Sequence, residues 1–331
     1  GVTYNVYEDP RGDTGPWEVD LLPLVLGADE WQWLSKAVAQ RAELLDSVLG
    51  DLYGEQALLK EGLMPPALVY GQAGFQWPCQ GIQPVSGRFL HLYAVDLARA
   101  PDGGWWVMAD RTQAPSGAGY ALQNRLVISR AFPAPFHNLP VTNLAEFFQG
   151  FQNSLASMSP ARNETALCVL LTPGRFNETY FEHVFLARYL GLPLVEGQDL
   201  TVRDDTVYLK TLQGLRRVHA IYRRLDDGFC DPLELRADSV LGIPGLLGAV
   251  RVGKVLMANA LGSGVLESAA LFGFLPEISK KLLGSPLAMP SVASWWCGEK
   301  PALDYVIEHL DELVIKPAFA SMRMEPVFGY Q

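Results

Sequence analysis

Apolar residues recur at helical spacing at Trp31, Leu34, Val38, Leu45, Val48, Leu49 and Leu52, which predicts one long amphipathic helix with Asp29 as its N-cap. Residues 1–27, rich in glycine, proline and aromatic side chains, read as extended segments joined by turns. After the helix the period changes. Residues 89–98 alternate, Pro101-Asp-Gly-Gly104 turns the chain, and residues 105–111 return, so a β-hairpin is expected. Pro115-Ser-Gly-Ala-Gly119 precedes a helical stretch at 120–130, and the proline-rich run 131–140 marks a boundary between subdomains.

From residue 166 the grammar becomes strand, loop, helix, strand: a strand at 166–171, the turn Thr172-Pro-Gly174, a helix at 178–190 and a strand at 193–195. A small hairpin turning at Asp204-Asp205, a strand at 218–225, a helix near 244–252 and a strand at 254–258 continue this α/β alternation. Gly262-Ser-Gly264 opens another helical stretch, residues 302–310 are helical, and 312–317 read as a short buried strand.

Composition narrows the function classes. The 331 residues are 49% hydrophobic, enough for about two domains' worth of core. A net charge of −10 opposes a nucleic-acid surface, and Arg216-Arg217 and Arg223-Arg224 lie inside apolar segments rather than in a basic patch. No apolar run reaches the roughly 18 residues of a spanning helix, and the N-terminus lacks the regions of a signal peptide, so no membrane association or leader is expected. Cys79, Cys168, Cys230 and Cys297 are far apart, with no C-x-x-C pair and no histidine at ligand spacing. Neither a zinc site nor a disulfide framework is expected, and a reducing cytoplasm fits best.

Several residues could carry chemistry. Asp96 shares a strand face with Leu90, Leu92 and Ala94, and it is either an edge aspartate reaching solvent or a buried carboxylate that needs a partner. Pairing across the turn puts positions 109 and 111 on its face unless a bulge intervenes. The glycine run 115–119 is either a plain turn or a helix N-terminus offering N–H groups to an anion. Arg223 and Arg224 point to opposite faces of an interior strand, so one guanidinium should be partly buried. It would act as a carboxylate or phosphate clamp, or form an internal salt bridge to Asp226 or Asp227. Lys316 ends a short apolar strand, as solvated strand ends often do.

Taken together, Asp96-Leu-Ala-Arg99, the stretch 109–120 with Asn124-Arg125, Leu171-Thr-Pro-Gly174, Tyr180-Phe-Glu-His183, Ile221-Tyr-Arg-Arg-Leu-Asp-Asp227, Ala258-Asn-Ala-Leu-Gly-Ser-Gly264 and Val314-Ile-Lys-Pro317 resemble the circularly permuted type 2 ATP-grasp family, whose members are often called glutathionylspermidine synthase-like. The resemblance implies a mixed α/β and α+β fold, with permuted ATP-grasp-like lobes around a Rossmann-like pre-ATP-grasp domain. It places the metal-bearing half at 1–130, a linker region at 131–165, the pre-ATP-grasp domain at 166–290 and the start of the nucleotide-lysine half at 291–331, with the remaining lobe expected beyond this fragment. It implies ATP and Mg2+ as cofactors and a small-molecule or peptide carboxylate as substrate. The all-helical alpha-E domain often joined to such chains is the implied partner.

By the same resemblance Asp96 matches the first metal carboxylate and Lys316 the phosphate-binding lysine. Ser116, Gly117, Asn124 and Arg125 fall at cofactor-binding positions, and Arg223, Arg224 and Asn259 at substrate-binding ones, with Arg224 gripping a peptide carboxylate. Three departures stand out. The family's Glu-Asp-Asn metal motif reads Ala109-Asp110-Arg111 here, a second nucleotide lysine is replaced by Ala269, and the glycine-rich phosphate loop after Lys316 is replaced by residues 318–326. Strand parity and charge then predict that Arg111 pairs with Asp96 in place of a magnesium ion. On the resemblance alone, Ala109→Glu with Arg111→Asn restores the metal ligands. Two functions follow: an ATP-dependent carboxylate–amine ligase with a modified site, or a non-catalytic ATP-grasp-like scaffold binding a peptide or a partner protein.

Overall fold

The computed structural model describes residues 3–5, 14–16, 23–162, 164–319 and 325–329, with side chains from residue 23 onward. Much of the stretch expected as extended at 1–27, and residues 320–324 of the altered phosphate loop, lie outside the described residues.

In chain order the elements begin with β1 (Thr3–Asn5) and β2 (Thr14–Pro16), an antiparallel pair. Next come α1 (Ala28–Leu52), α2 (Ala57–Lys60), α3 (Pro66–Tyr70), β3 (Ala94–Arg99) and β4 (Trp105–Arg111). Helices α4 (Ala118–Ala131), α5 (Pro133–Asn138) and α6 (Ala145–Ser157) lead to β5 (Cys168–Leu171), α7 (Tyr180–Leu190) and β6 (Leu194–Val195). Strands β7 (Leu200–Arg203), β8 (Thr206–Thr211) and β9 (Gly214–Arg217) form an antiparallel meander. It is followed by β10 (Ala220–Arg223), α8 (Leu246–Arg251), β11 (Leu256–Ala258), α9 (Leu275–Leu283), α10 (Lys300–Glu308), β12 (Val314–Ile315) and β13 (Val327–Phe328). No helix among the described residues is long and apolar enough to cross a membrane.

These elements form two compact units, each drawn from separate stretches of sequence. One unit contains residues 1–27, 84–86 and 114–258. Its centre is a four-stranded parallel sheet in the order β11-β10-β5-β6. Every residue of β5 and β10 is buried, as strands covered on both faces require. The chain leaves β5 toward β6 on one side and later fills β10 and β11 on the other, so the strand order reverses between β5 and β10. The carboxyl ends of those two strands are the switch point at which open α/β sheets bind ligands. The stretch expected as a linker carries α6, which buries Phe148, Phe151 and Leu155 and sets the Phe151 ring 4.9 Å from Tyr222.

The other unit contains residues 28–83, 87–113 and 259–331. Helix α1 buries a stripe of Leu34, Ala37, Arg41, Leu44, Leu45, Val48, Leu49 and Leu52. It starts one residue before the expected N-cap, placing Asp29 and Glu30 in the first turn, where the helix dipole favours acids. The hairpin is shorter than expected because side chains, not a partner strand, hold residues 89–92. Asp46 Oδ1 accepts from the N–H groups of Phe89 and Leu90 at 2.8 and 2.9 Å. Asn259 Oδ1 accepts from those of His91 and Leu92 at 2.7 and 2.9 Å. The strand expected as buried at 312–317 is only β12, whose Val314 is exposed and which pairs with β13.

Candidate functional site

The hairpin keeps the expected parity. Asp96 stands opposite Ala109 and Ala94 opposite Arg111, with a bulge between Asp96 and Leu97. The expected contact is present: Arg111 Nη2 donates to Asp96 Oδ2 at 2.8 Å. Both side chains are 53% exposed, however, so this face is wet rather than apolar, and the pair contributes no more than about 1 kcal/mol. The alternation that suggested burial fails because β3 begins only at Ala94, so Leu90 and Leu92 do not extend its face.

The buried carboxylate of the hairpin is Asp110. It accepts from Arg41 Nε at 2.7 Å and Nη2 at 2.8 Å, and the Tyr93 hydroxyl donates to its Oδ1 at 2.5 Å. Burial works against charge on Arg41, yet Asp110 reverses this and holds the guanidinium above its ordinary pKa. Burial, and then the charge of Asp110, push the Tyr93 phenol far above its usual range, so it stays protonated. Magnesium needs a near-octahedral shell of oxygens. Here each aspartate carries a guanidinium, Ala109 offers no side-chain oxygen, and no cluster of three metal-binding side chains occurs among the described residues. The hairpin does not fit the ion.

A second cluster lies at the switch point of the parallel sheet. Arg224 follows β10, its backbone N–H donating to Leu171 O at 2.8 Å. Both Arg223 and Arg224 are buried, although alternation placed a partly buried guanidinium on one face of the strand. Arg223 Nη1 caps Leu225 O at 2.7 Å. Arg224 donates through Nη1 to Pro115 O and through Nη2 to Glu182 Oε2, the latter at 3.3 Å. Arg224 thus forms an internal salt bridge with Glu182. The Nε of Arg224 is buried without a hydrogen-bond partner among the described residues.

Glu182 is fully buried, and its Oε1 accepts from the N–H groups of Gly117 and Gly119, each at 2.8 Å. The glycine run thus does present amides to an anion at the start of α4, and that anion belongs to the chain. Gly119 is required by this approach, since a Cβ there would lie 2.7 Å from Glu182 Cγ. Next to Glu182, the buried His183 ring bridges two hydroxyls: Nδ1 lies 2.9 Å from Thr172 Oγ1 and Nε2 3.0 Å from Thr179 Oγ1. Thr179 Oγ1 donates onward to Asn177 Oδ1 at 2.7 Å, so the consistent arrangement has Nε2–H donating to Thr179 and Nδ1 accepting from Thr172. Burial first, and the nearby Arg224 charge second, depress the His183 pKa to about 3.

The other sequence-derived positions spread over both units. Ser116 is exposed, and Gly117 gives its N–H to Glu182. Asn124 is half-buried on α4, and Arg125 donates to Thr142 O at 3.1 Å with its guanidinium over the Phe136 ring. Lys316 is exposed after β12. The Asn259 amide accepts from two backbone N–H groups and donates to Leu92 O and Thr112 O, both at 2.7 Å, so the protein's own backbone engages both ends of the side chain. Arg41 and Tyr93 were not singled out from sequence, and Asp110, Glu182 and His183 entered only inside motifs of the resemblance, without a role of their own. Arg41 did leave a signal, a charge within the apolar stripe of α1.

A parallel sheet with a polar cluster at its switch point, and a hairpin carrying aspartates in a separate unit, define a mixed α/β protein. Residues 23–331 match the family described as circularly permuted ATP-grasp type 2, and the chain belongs to it. That family generally uses ATP and Mg2+. The chain is similar to an uncharacterized protein of Synechocystis sp., 39% identical over 96% of this chain and 66% of the relative. It is also similar to two uncharacterized proteins of Mycobacterium tuberculosis. One is 39% identical over 96% of this chain and 37% of the relative; the other is 36% identical over 99% and 59%. The chain thus spans between about a third and two thirds of these relatives.

Proposed function

We propose that this chain is part of a cytoplasmic ATP-grasp-type ligase that joins a carboxylate to an amine through an acyl-phosphate, receiving a small-molecule or peptide carboxylate near Arg224. The observation that carries this reading is the guanidinium buried at the carboxyl ends of β5 and β10 with its Nε unpartnered, a donor that a carboxylate oxygen would satisfy. Lys316, exposed on the other unit, is the residue assigned to the nucleotide phosphates. Residues 1–130 and 291–331 are assigned to the two ATP-grasp halves and 166–290 to the pre-ATP-grasp domain.

A second reading is favoured by the Asp96–Arg111 pair and by Glu182 filling the Gly117 and Gly119 amides: a non-catalytic ATP-grasp-like scaffold for a peptide or a helical partner domain. Calorimetric titration of the protein with ATP, with and without Mg2+, separates the two. The ligase reading expects saturable ATP binding, and phosphate release when a peptide carboxylate and hydroxylamine are supplied together. Absence of ATP binding under both conditions would abandon it for the scaffold.

A further inference from the structure

The Arg224 guanidinium is fixed from several directions within its own unit. Its backbone N–H is tied to Leu171 O, its Nη1 donates to Pro115 O, and its central carbon lies 5.7 Å from the centre of the Tyr222 ring. Nη2 donates to Glu182 Oε2 at 3.3 Å, which leaves Nε as the nitrogen without a partner among the described residues. A guanidinium is planar, with donors along distinct edges, so whatever fixes its plane decides which edge a ligand meets. Pro115 and Glu182 fix it through one closed ring. The ring runs from Arg224 to Pro115, along the chain to Gly117, across to Glu182 Oε1, and back through Oε2 to Arg224.

A carboxylate that only neutralised a buried arginine would give it both oxygens, as Asp110 gives both to Arg41. Glu182, fully buried, gives Arg224 one oxygen and spends the other on the amides of Gly117 and Gly119, each at 2.8 Å. Reach therefore matters here as much as charge, and a Cβ at position 119 would already meet Glu182 Cγ at 2.7 Å. We propose that Glu182 is a positioning residue, which holds the Arg224 guanidinium so that its Nε edge is the one offered to the substrate carboxylate. The proposal rests on the reading of Arg224 as the carboxylate clamp and adds to it a residue that acts through Arg224. The glycine run serves the same end, because it anchors the far oxygen of Glu182.

The test follows the Arg224 Nε–H by nuclear magnetic resonance in the full chain carrying isotope-labelled arginine, with the resonance identified by its loss in Arg224→Lys. Two variants keep every charge: Glu182→Asp, one methylene too short to span the ring, and Gly119→Ala, which pushes the carboxylate aside. In each, the Nε–H should exchange with solvent about tenfold faster than in wild type, the scale of one hydrogen bond to a charged group. Triglycine, a peptide with a free carboxylate, should shift the wild-type resonance and bind each variant about tenfold more weakly, while triglycine amide shifts none. A folded variant with wild-type exchange and wild-type triglycine affinity would overturn the proposal. If neither variant folds, the wild type still decides, because an Arg224 Nε–H that exchanges as fast as those of exposed arginines is not held in place, and the proposal fails. If triglycine leaves the wild-type resonance unmoved while the exchange results hold, the carboxylate reading of Arg224 falls and Glu182 keeps only its hold on the guanidinium.

Discussion

A histidine such as His183, sealed between two threonine hydroxyls and facing a guanidinium, remains neutral in the folded chain. Unfolded, the ring titrates near about 6.5, whereas folded it does so at about 3. Between those values the unfolded state carries the extra proton, so this contribution is fully present above about pH 6.5 and is lost as pH falls toward 3. The expected slope is about 1.4 kcal/mol per pH unit. Urea titrations between about pH 7 and pH 4.5 should show a flatter dependence for His183→Gln than for wild type. An equal slope in both would assign the acid sensitivity to other groups. His91, also lowered by burial, acts in the same sense and is retained in the variant. Strand pattern made Arg223 and Arg224 legible as a pair, because charges in an apolar strand stand out, and the resemblance singled out Arg224. Its partner Glu182 lies 42 residues away, on a helix whose buried face sequence does not mark, so the pairing was not legible.

Among the elements, the turn at Asp204-Asp205 was readable because Asp tolerates left-handed backbone, and both residues adopt it, with φ of 49° and 55°. A type I′ turn prefers glycine at its second central position. Asp205→Gly should therefore raise stability by about 0.5–1 kcal/mol, measured by urea unfolding. A loss would mean that the Asp205 side chain supports the meander in another way. Helix α6 escaped the sequence reading because it follows a proline-rich run, and only its three buried apolar side chains, at four- and three-residue intervals, give it a core face. The strand at 312–317 was misread as buried because three consecutive apolar residues, Leu313, Val314 and Ile315, look alike whether the strand is interior or pairs at a surface.

At the scale of the whole molecule, the compact units interleave along the sequence. What hides this from sequence is long-range closure: a hairpin at 94–111 packs with residues beyond 259, and no local pattern announces that. The parallel sheet, however, is contained in one uninterrupted stretch. A fragment of residues 114–258 should fold alone and melt cooperatively by circular dichroism, while 28–113 should not, since its core is completed by residues 259–331. A non-cooperative trace from 114–258 would show that the sheet needs the more distant segments.

Asn259 sets a clock on this assembly. Its amide holds His91 and Thr112 across 168 and 147 residues of chain. At a synthesis rate of about 5–20 residues per second, the backbone around position 91 emerges roughly ten to thirty seconds before the side chain that anchors it. During that interval those N–H and C=O groups have only water to bond, and the hairpin beside them exists as a nascent strand edge. On a ribosome, the unit that holds the hairpin therefore begins before the parallel sheet is made and closes only after it.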